Sequence, residues 1–153
     1  MAVVFWDVSG LAKRYTEEKG HTTVNAVFAA VPSRDMFVTP LGYAETYSIL
    51  LCKRNGGILD ELAFVTATSA LRVEVLDNRD SGLLPISDSL FFGSLSLVQA
   101  YNINSVDASI LATFLRFQRG GGGAMSAGRR RQEVAAGGGG RRVEQSEPGR
   151  CRP

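Results

Sequence analysis

Short apolar runs recur along the first part of the chain and alternate with longer stretches of helical spacing. Residues 3–6 are four apolar residues in a row, which predicts a buried strand, and this run ends on the carboxylate of Asp7. Residues 36–38 and 83–86 form two further apolar runs, and residues 73–76 form a short segment with β-branched residues. Because helical stretches separate these runs, the pattern predicts an α/β domain with a mostly parallel sheet.

Apolar residues at helical spacing predict the helices between the strands. The predicted ranges are 9–19, 22–31, 41–54, 58–71, 87–101 and a last helix that starts at Ser105. Ser9 and Ser87 stand where N-caps are expected. In the helix over 58–71, the residues that we expect on the inward face are Leu59, Leu62, Ala63, Thr66 and Ala70. The last helix is apolar almost all round, which predicts that it is buried.

Charge and composition divide the 153 residues into two parts. Residues 1–117 carry nine Lys and Arg against twelve Asp and Glu, a net charge of −3, and they hold the whole apolar pattern. Residues 118–153 carry eight Arg against three Glu, a net charge of +5, together with ten of the 17 glycines. This tail has no Leu, Ile, Phe, Tyr or Trp to bury. We therefore expect one domain over 1–117 and a disordered, low-complexity tail.

The apolar runs also bear on where the chain resides. None approaches the length of a membrane span, and the first residues lack the basic start and long apolar run of a signal peptide. We therefore expect a cytoplasmic protein that has no contact with a membrane.

Three acids occupy comparable positions in the predicted elements. Asp7 ends the first strand, Glu45 lies about one turn into a helix, and Asp107 lies in the first turn of the last helix. Each could be structural by itself. Asp7, for example, can cap the next helix, and the helix dipole stabilises a carboxylate at the position of Asp107. Together they suit a set of oxygen ligands for Mg²⁺ or Mn²⁺, which would offset the repulsion between gathered carboxylates.

The residues around these acids resemble a known family. Phe-Trp-Asp-Val-Ser at 5–9, Leu-Gly-Tyr-Ala-Glu-Thr at 41–46 and Ser-Val-Asp-Ala-Ser-Ile-Leu-Ala at 105–112 look like the successive motifs of PIN-domain ribonucleases. The order and the spacing match over roughly 1–117. The nearest branch is the VapC-type toxins of bacterial toxin–antitoxin pairs.

This resemblance implies a three-layer fold, in which helices flank a mostly parallel sheet, and metal-dependent cleavage of RNA. By motif match it assigns Asp7, Glu45 and Asp107 to catalysis and to a Mg²⁺ or Mn²⁺ ion, and it gives Ser9 the role of positioning Asp7. It also implies a cognate antitoxin protein as partner. The apolar helices over 41–54 and 58–71 could cover such a partner or a second copy in a homodimer, although such helices are more often simply core.

The chain departs from the family at its C-terminal end. The family closes on an apolar strand that ends in an acid, whereas residues 120–131 here are rich in Gly and Arg. We expect the last strand and a fourth carboxylate to be missing or replaced, which would lower stability and nuclease activity. Three origins remain open for residues 118–153: a low-complexity extension, an Arg/Gly arm that binds nucleic acid, or the product of a shifted reading frame.

Two functions of different class follow from the sequence. The first is a metal-dependent endoribonuclease of toxin type, inactive in this chain if the missing carboxylate is essential. The alternative is a non-catalytic PIN-like protein that binds an antitoxin-like partner or RNA. A third reading is a small α/β domain with an unrelated ligand, in which the acids only cap helices.

Overall fold

The computed structural model describes residues 3–120, and these form three short strands and seven α-helices. The strands are β1 (Val4–Phe5), β2 (Met36–Val38) and β3 (Gly82–Leu83). The helices are α1 (Val8–Tyr15), α2 (His21–Ala30), α3 (Pro40–Asn55), α4 (Glu61–Arg72), α5 (Asp88–Gly93), α6 (Leu95–Tyr101) and α7 (Ser105–Arg119). A 3₁₀ turn, Ser33–Asp35, leads into β2, and a π-helical turn, Val73–Asp77, extends α4.

The strands form one parallel sheet in the order β1-β2-β3. Val4 pairs with Met36, and Phe37 pairs with Gly82. Pairing continues one residue beyond the strands, because Trp6 donates its N–H to the Phe37 carbonyl at 2.9 Å. The predicted α/β class, with a parallel sheet flanked by helices, is therefore confirmed.

Side chains on the two faces of the sheet pack against different helices. Alternate residues of a strand point to opposite faces, so Trp6, Met36 and Val38 share one face and Phe5 and Phe37 share the other. The first face forms the main core with α1, α3 and α4. The buried members of this core are Trp6, Leu11, Met36, Val38, Leu50, Phe64, Ala67, Leu71 and Val75.

Helix α7 covers the second face of the sheet through an aromatic cluster. Phe114 stacks on Phe5 with ring centroids 4.5 Å apart, and Phe117 lies 4.5 Å from Phe37. The sheet thus lies between two helical layers. Both faces are apolar for this reason, which is why the strands read as continuous apolar runs in the sequence.

Side-chain caps begin most of the helices. Asp7 caps α1, Thr39 caps α3, Asp60 caps α4, Ser87 caps α5 and Asn104 caps α7, and each accepts a hydrogen bond from a backbone N–H in the first turn. The predicted cap at Ser87 is confirmed. The predicted cap at Ser9 is wrong, because the Asp7 carboxylate reaches the N–H of Gly10 and α1 begins before Ser9.

Packing determines two further features. Residues 73–76, noted in the sequence only as a short β-branched segment, continue α4 as a π-helical turn, in which Val75 is buried in the core. In α4 the inward stripe is Phe64, Ala67 and Leu71, and Leu62 is 77% exposed. The helix begins only after the Asp60 cap, and the large Phe64 ring then decides which face turns inward.

The helix predicted over 87–101 is divided at Ser94 into α5 and α6. Ser94 is 1% exposed, and its hydroxyl donates to the Phe91 carbonyl at 2.6 Å and lies 3.2 Å from the Ser109 hydroxyl. A buried polar contact with α7 thus fixes the break.

The last helix starts at Ser105 as predicted. It ends at Arg119, two residues beyond the predicted end of the domain at residue 117. The Gly/Arg-rich tail after Gly120, and with it the expectation of a missing last strand, lies outside the described residues. No helix within residues 3–120 is long and apolar enough to cross a membrane.

We predict that Gly82→Ala destabilises the protein by about 1–3 kcal/mol, as overpacking of a core does. A Cβ at this position would lie 2.2 Å from Phe37 Cδ1, so the ring that bridges β2 and α7 would have to move. Gly93→Ala is the matched control, because a Cβ there meets nothing within 4 Å, and it should be neutral or stabilise by up to about 1 kcal/mol. Urea unfolding measures both, and equal midpoints for the two variants would contradict the close approach.

Candidate metal centre

The three acids singled out in the sequence follow the carboxyl ends of the strands or begin a helix beside them. Asp7 comes two residues after β1, and α3, which contains Glu45, begins two residues after β2. Asp107 is in the first turn of α7. In open parallel sheets, this is the edge at which ligands bind.

The Asp7 carboxylate is exposed and held by its own helix. Its Oδ1 accepts from the backbone N–H of Gly10 at 2.7 Å, and its Oδ2 accepts from the Ser9 hydroxyl at 2.8 Å. Asp7 is therefore a helix cap, as one interpretation of the sequence held. These two hydrogen bonds do not use all the lone pairs of the carboxylate, since an ionised carboxylate can accept about four hydrogen bonds or ligand contacts. Ser9 and Gly10 fix its orientation and leave lone pairs free.

Gly10 permits the close approach of this carboxylate. A Cβ on Gly10 would lie 2.6 Å from Asp7 Oδ1 and 3.5 Å from the Trp6 ring. Any side chain here would displace the acid from its cap. Gly10 thus positions the Asp7 carboxylate, and sequence reasoning missed it. The signal in the sequence is its spacing, because a cap residue accepts a hydrogen bond from the backbone N–H three residues later.

Helices α3 and α7 approach each other at a second glycine. A Cβ on Gly42 would lie 3.9 Å from Ile110 Cδ1, an ordinary contact distance, so the two helices lie side by side at this point. Glu45 is one turn along α3 from Gly42, and Asp107 is one turn back along α7 from Ile110. Residues three apart share a helix face, which brings the two acids into the same region.

The negative charge of Asp107 contributes to the pKa of Glu45. The pKa of the half-buried Glu45 carboxyl lies above its ordinary value, first because burial disfavours the charged form and second because Asp107 is negative. Among residues 3–120, Glu45 has no hydrogen-bond donor and no ion-pair partner. The ion pairs there lie elsewhere: Arg14–Glu74, Lys53–Glu18, Arg54–Glu61 and Arg72–Asp77.

Asn104 orients the second acid of the pair. Its side-chain amide donates to Asp107 Oδ2 at 2.7 Å, and its Oδ1 accepts from the Asp107 backbone N–H at 2.8 Å. This reciprocal contact resembles a capping box. Sequence reasoning missed Asn104, although an Asn three residues before an acid at the start of an apolar helix is a recognisable cap signal.

The structure thus brings Glu45 and Asp107 together, and it holds Asp7 separately on its own cap. Within the described part of the chain, no three His, Cys, Asp or Glu side chains gather closely enough to form a metal-binding group. Two carboxylates with uncompensated charge nevertheless fit a hard divalent cation, because Mg²⁺ is commonly held by one or two carboxylates, with waters and substrate phosphates completing its shell.

Comparison with known proteins supplies a structural likeness and no sequence match. No protein-family model matches the chain, and no curated protein sequence matches it. A solved structure that is similar is the crystal structure of VapC20 from Mycobacterium tuberculosis, described as a toxin that cleaves the sarcin–ricin loop. The TM-score is 0.57 at 19% identity, over 76% of this chain and 82% of that chain. The likeness shows that the chain has the PIN-like fold.

We predict that Glu45→Gln stabilises the protein at pH 7 by less than about 1 kcal/mol. A raised pKa in the folded state means that the folded protein holds the Glu45 proton more tightly than the unfolded chain. Stability from this group is present below the ordinary pKa of 4.5 and is lost as the pH rises through the folded value.

The gain from Glu45→Gln should therefore vanish below pH 4.5 and grow above it. Glu17→Gln is the matched control, because Glu17 is exposed and has no partner among residues 3–120. Urea midpoints measured across this pH range distinguish the two variants. A gain for Glu45→Gln that is independent of pH would contradict the repulsion.

Proposed function

We propose that this chain is an endoribonuclease of toxin type that depends on Mg²⁺ or Mn²⁺. The observation that carries the proposal is the Glu45–Asp107 pair: two carboxylates that repel each other, at the ligand-binding edge of a parallel sheet, without a compensating cation among residues 3–120. Uncompensated like charges destabilise a fold and are typical of sites that bind a cation. The PIN-like fold and the sequence motifs around both acids support the same assignment.

Glu45 and Asp107 are the residues that would hold the metal, with Asp7 as the third acid. A divalent cation supplies charge stabilisation at a phosphodiester and lowers the pKa of an attacking water. The chain's own residues keep the acids in place. Ser9 and Gly10 hold the Asp7 carboxylate by hydrogen bonds, and Asn104 holds that of Asp107. Burial and the negative charge of Asp107 both disfavour the ionised form of Glu45, which a bound cation would stabilise.

RNA is the substrate that we propose. VapC20, which has a similar fold, is described as a toxin that cleaves the sarcin–ricin loop. A structured RNA hairpin is therefore the first substrate to test, beside a single-stranded RNA of the same composition. A toxin that cleaves RNA acts where RNA is made and used, so we propose a cytoplasmic location, which cell fractionation tests.

A second function is favoured by one specific observation. Within residues 3–120 no group of three metal-binding side chains is assembled, although the sequence motifs supply three acids. The second candidate is therefore a non-catalytic PIN-like protein that binds an antitoxin-like protein or RNA. Metal binding without RNA cleavage would favour this candidate over the enzyme.

An antitoxin protein is the partner that we propose for either function. The outer face around the start of α4 is apolar and exposed at Ile58, Leu62 and Val65, and Leu62 is 77% exposed. Neighbouring apolar residues of this kind mark protein interaction sites more often than isolated ones do. A homodimer through the same face is the competing outcome.

We predict that Asp7→Asn, Glu45→Gln and Asp107→Asn each slow Mg²⁺-dependent RNA cleavage at least about a hundredfold, because each removes a charge that the cation needs. Asp88→Asn is the matched control: Asp88 also lies in a first helical turn and is exposed, and it should leave the rate unchanged. Gel analysis of cleaved hairpin RNA, with and without Mg²⁺, measures these rates.

Thermal unfolding with added Mn²⁺ provides a readout that does not depend on activity. Mn²⁺ should raise the midpoint of the wild-type chain and of Asp88→Asn, and it should raise that of Glu45→Gln or Asp107→Asn much less. Cleavage that persists in all three acid variants would refute the proposed centre. A metal-dependent rise in midpoint without any cleavage would move the assignment to the non-catalytic candidate.

We predict that Leu62→Ser weakens binding of the antitoxin at least about tenfold, because a central apolar side chain of an interface is lost. The protein encoded beside this gene is the partner to test, by calorimetry. Leu95→Ser, at an exposed leucine of α6, is the control and should bind as the wild type does. Light scattering of the chain alone detects the homodimer, and an unchanged antitoxin affinity in Leu62→Ser would exclude this face.

A further inference from the structure

Helix α2 lies beside a cavity of about 250 Å³ and is only partly buried. Asn25, Phe28 and Ala29 of this helix line the cavity, and none of its ten residues is buried. The helix follows Gly20, which has a φ of 97° and offers no side-chain cap. Segments with few buried contacts are the ones that open locally in folded proteins. The contacts that keep α2 in place therefore control access to the cavity.

Arg14 of α1 contacts α2 at two places. Its guanidinium carbon lies 4.8 Å from the centroid of the Phe28 ring, which also stacks on Trp6 with centroids 4.5 Å apart. Its Nη1 donates a hydrogen bond to Oδ1 of Asn25. The same guanidinium donates through Nη2 to the Glu74 carboxylate at 2.8 Å, which holds it in position. The Asn25 amide is thus the polar contact of α2 with a fixed cation.

His21 extends this chain of hydrogen bonds to the backbone of α1. Its Nδ1 lies 2.7 Å from the Lys13 carbonyl oxygen, and its Nε2 lies 2.8 Å from Nδ2 of Asn25. A carbonyl oxygen only accepts, so Nδ1 carries the ring hydrogen and Nε2 is the acceptor. The other end of the chain requires the same arrangement. Because a guanidinium only donates, Asn25 presents its oxygen to Arg14 and its NH₂ group to His21.

A second proton on His21 is incompatible with this chain of hydrogen bonds. It would add to Nε2, and two donors would then face each other across the 2.8 Å between His21 and Asn25. The Asn25 amide can rotate to accept from the imidazolium, but it then turns its NH₂ group toward Arg14 and loses that contact. If the amide stays, the ring must move and loses its contact with the Lys13 carbonyl. Protonation therefore breaks one link between α2 and α1.

The charged groups on α1 do not compensate for this loss. The Lys13 ammonium lies 4.0 Å from the position that a Cβ on Gly20 would occupy, directly before His21 in the chain. The Arg14 guanidinium is separated from the His21 ring by the Asn25 amide. Both groups are cations and cannot accept a hydrogen bond from an imidazolium.

The acids near α2 are engaged elsewhere. In the turn before α2, Glu18 accepts from the Thr16 hydroxyl and pairs with Lys53, and Glu17 is followed two residues later by Lys19. On the π-helical turn, Glu74 pairs with Arg14 and accepts from Tyr15. Arg34 and Asp35, of opposite charge, follow the other end of α2, and α2 has no further charged residue. Among residues 3–120, no carboxylate forms an ion pair with His21.

We propose that α2 is a lid over this cavity and that the protonation of His21 opens it. When His21 is neutral, its hydrogen bond to Lys13 and the one from Arg14 to Asn25 hold the lid closed. When His21 is protonated, one of these is lost, and α2 moves away from α1. Histidine ordinarily changes its charge between about pH 5 and pH 8, so mild acidification is the trigger. The lid does not depend on nuclease activity, because the three acids of the candidate metal centre do not line the cavity.

The first test is the tautomer of His21 in the wild-type chain. His21 is the single histidine, so its ring nitrogens give unambiguous signals in ¹⁵N NMR. At about pH 7.5 we expect the neutral ring with its hydrogen on Nδ1. A hydrogen on Nε2 at that pH overturns the proposal, because the chain of hydrogen bonds requires an acceptor there.

Amide hydrogen exchange of the full chain measures the opening. From about pH 7.5 to about pH 5, the protection factors of α2 should fall at least about tenfold, whereas those of α7 should stay unchanged. Acrylamide quenching of Trp6, the single tryptophan, should increase over the same range, because Phe28 leaves its ring. Unchanged protection of α2, or an equal fall in α7, overturns the proposal.

Variants then identify the group that responds to pH. His21→Gln retains an acceptor for the Asn25 amide and cannot be protonated, so α2 should keep its protection at about pH 5. Asn25→Asp provides a carboxylate that accepts from both Arg14 and a protonated His21, and it should also keep the lid closed. Asn55→Asp is the matched control, because it adds the same charge at an exposed position outside this chain of hydrogen bonds. It should open as the wild type does.

Three results with these variants overturn the proposal: His21→Gln opens at about pH 5 as the wild type does, Asn25→Asp does so, or Asn55→Asp stays closed. If His21→Gln does not fold, Asn25→Asp decides, and the tautomer of the wild-type chain tests the arrangement without any substitution.

Discussion

Each strand of the sheet must bury side chains on both of its faces, and the arrangement of the helices follows from this constraint. Trp6, Met36 and Val38 require one helical layer, and Phe5 and Phe37 require another on the opposite side. Parallel strands with both faces covered need a helix after each strand, which starts at the carboxyl edge of the sheet. The caps of α1 and α3, and the acids near them, come to that edge for this reason.

Some acids among residues 3–120 have a cationic partner. Glu74 and Glu18 are paired with Arg14 and Lys53. Glu45 instead lies half-buried beside Asp107, and its pKa is raised by burial and by that negative charge. A fold selected for stability alone would pair or remove such a charge. The unrelieved repulsion is the observation on which the proposed metal centre rests.

Trp6 and Asp7 are neighbours in the chain that contribute to different places. The indole of Trp6 lies in the main core, and the carboxylate of Asp7 emerges at the exposed edge. Gly10 contacts both, because a Cβ on it would touch the Trp6 ring as well as the Asp7 carboxylate. The tight turn from β1 to α1 thus orients the acid and the indole together, and a change at Gly10 would disturb both.

Local patterns were enough to predict the α/β class, the position of β2 and the cap at Ser87, and to locate the motifs around the three acids, because strand and helix periodicities and cap residues are local properties. Packing between distant segments turns Leu62 outward, continues residues 73–76 as a helix and breaks another helix at Ser94. Each of these depends on which neighbour packs against the segment. Spacing along the chain likewise cannot give distances across it. The approach of α3 to α7 at Gly42 brings Glu45 to Asp107, and no local pattern in the sequence encodes that contact.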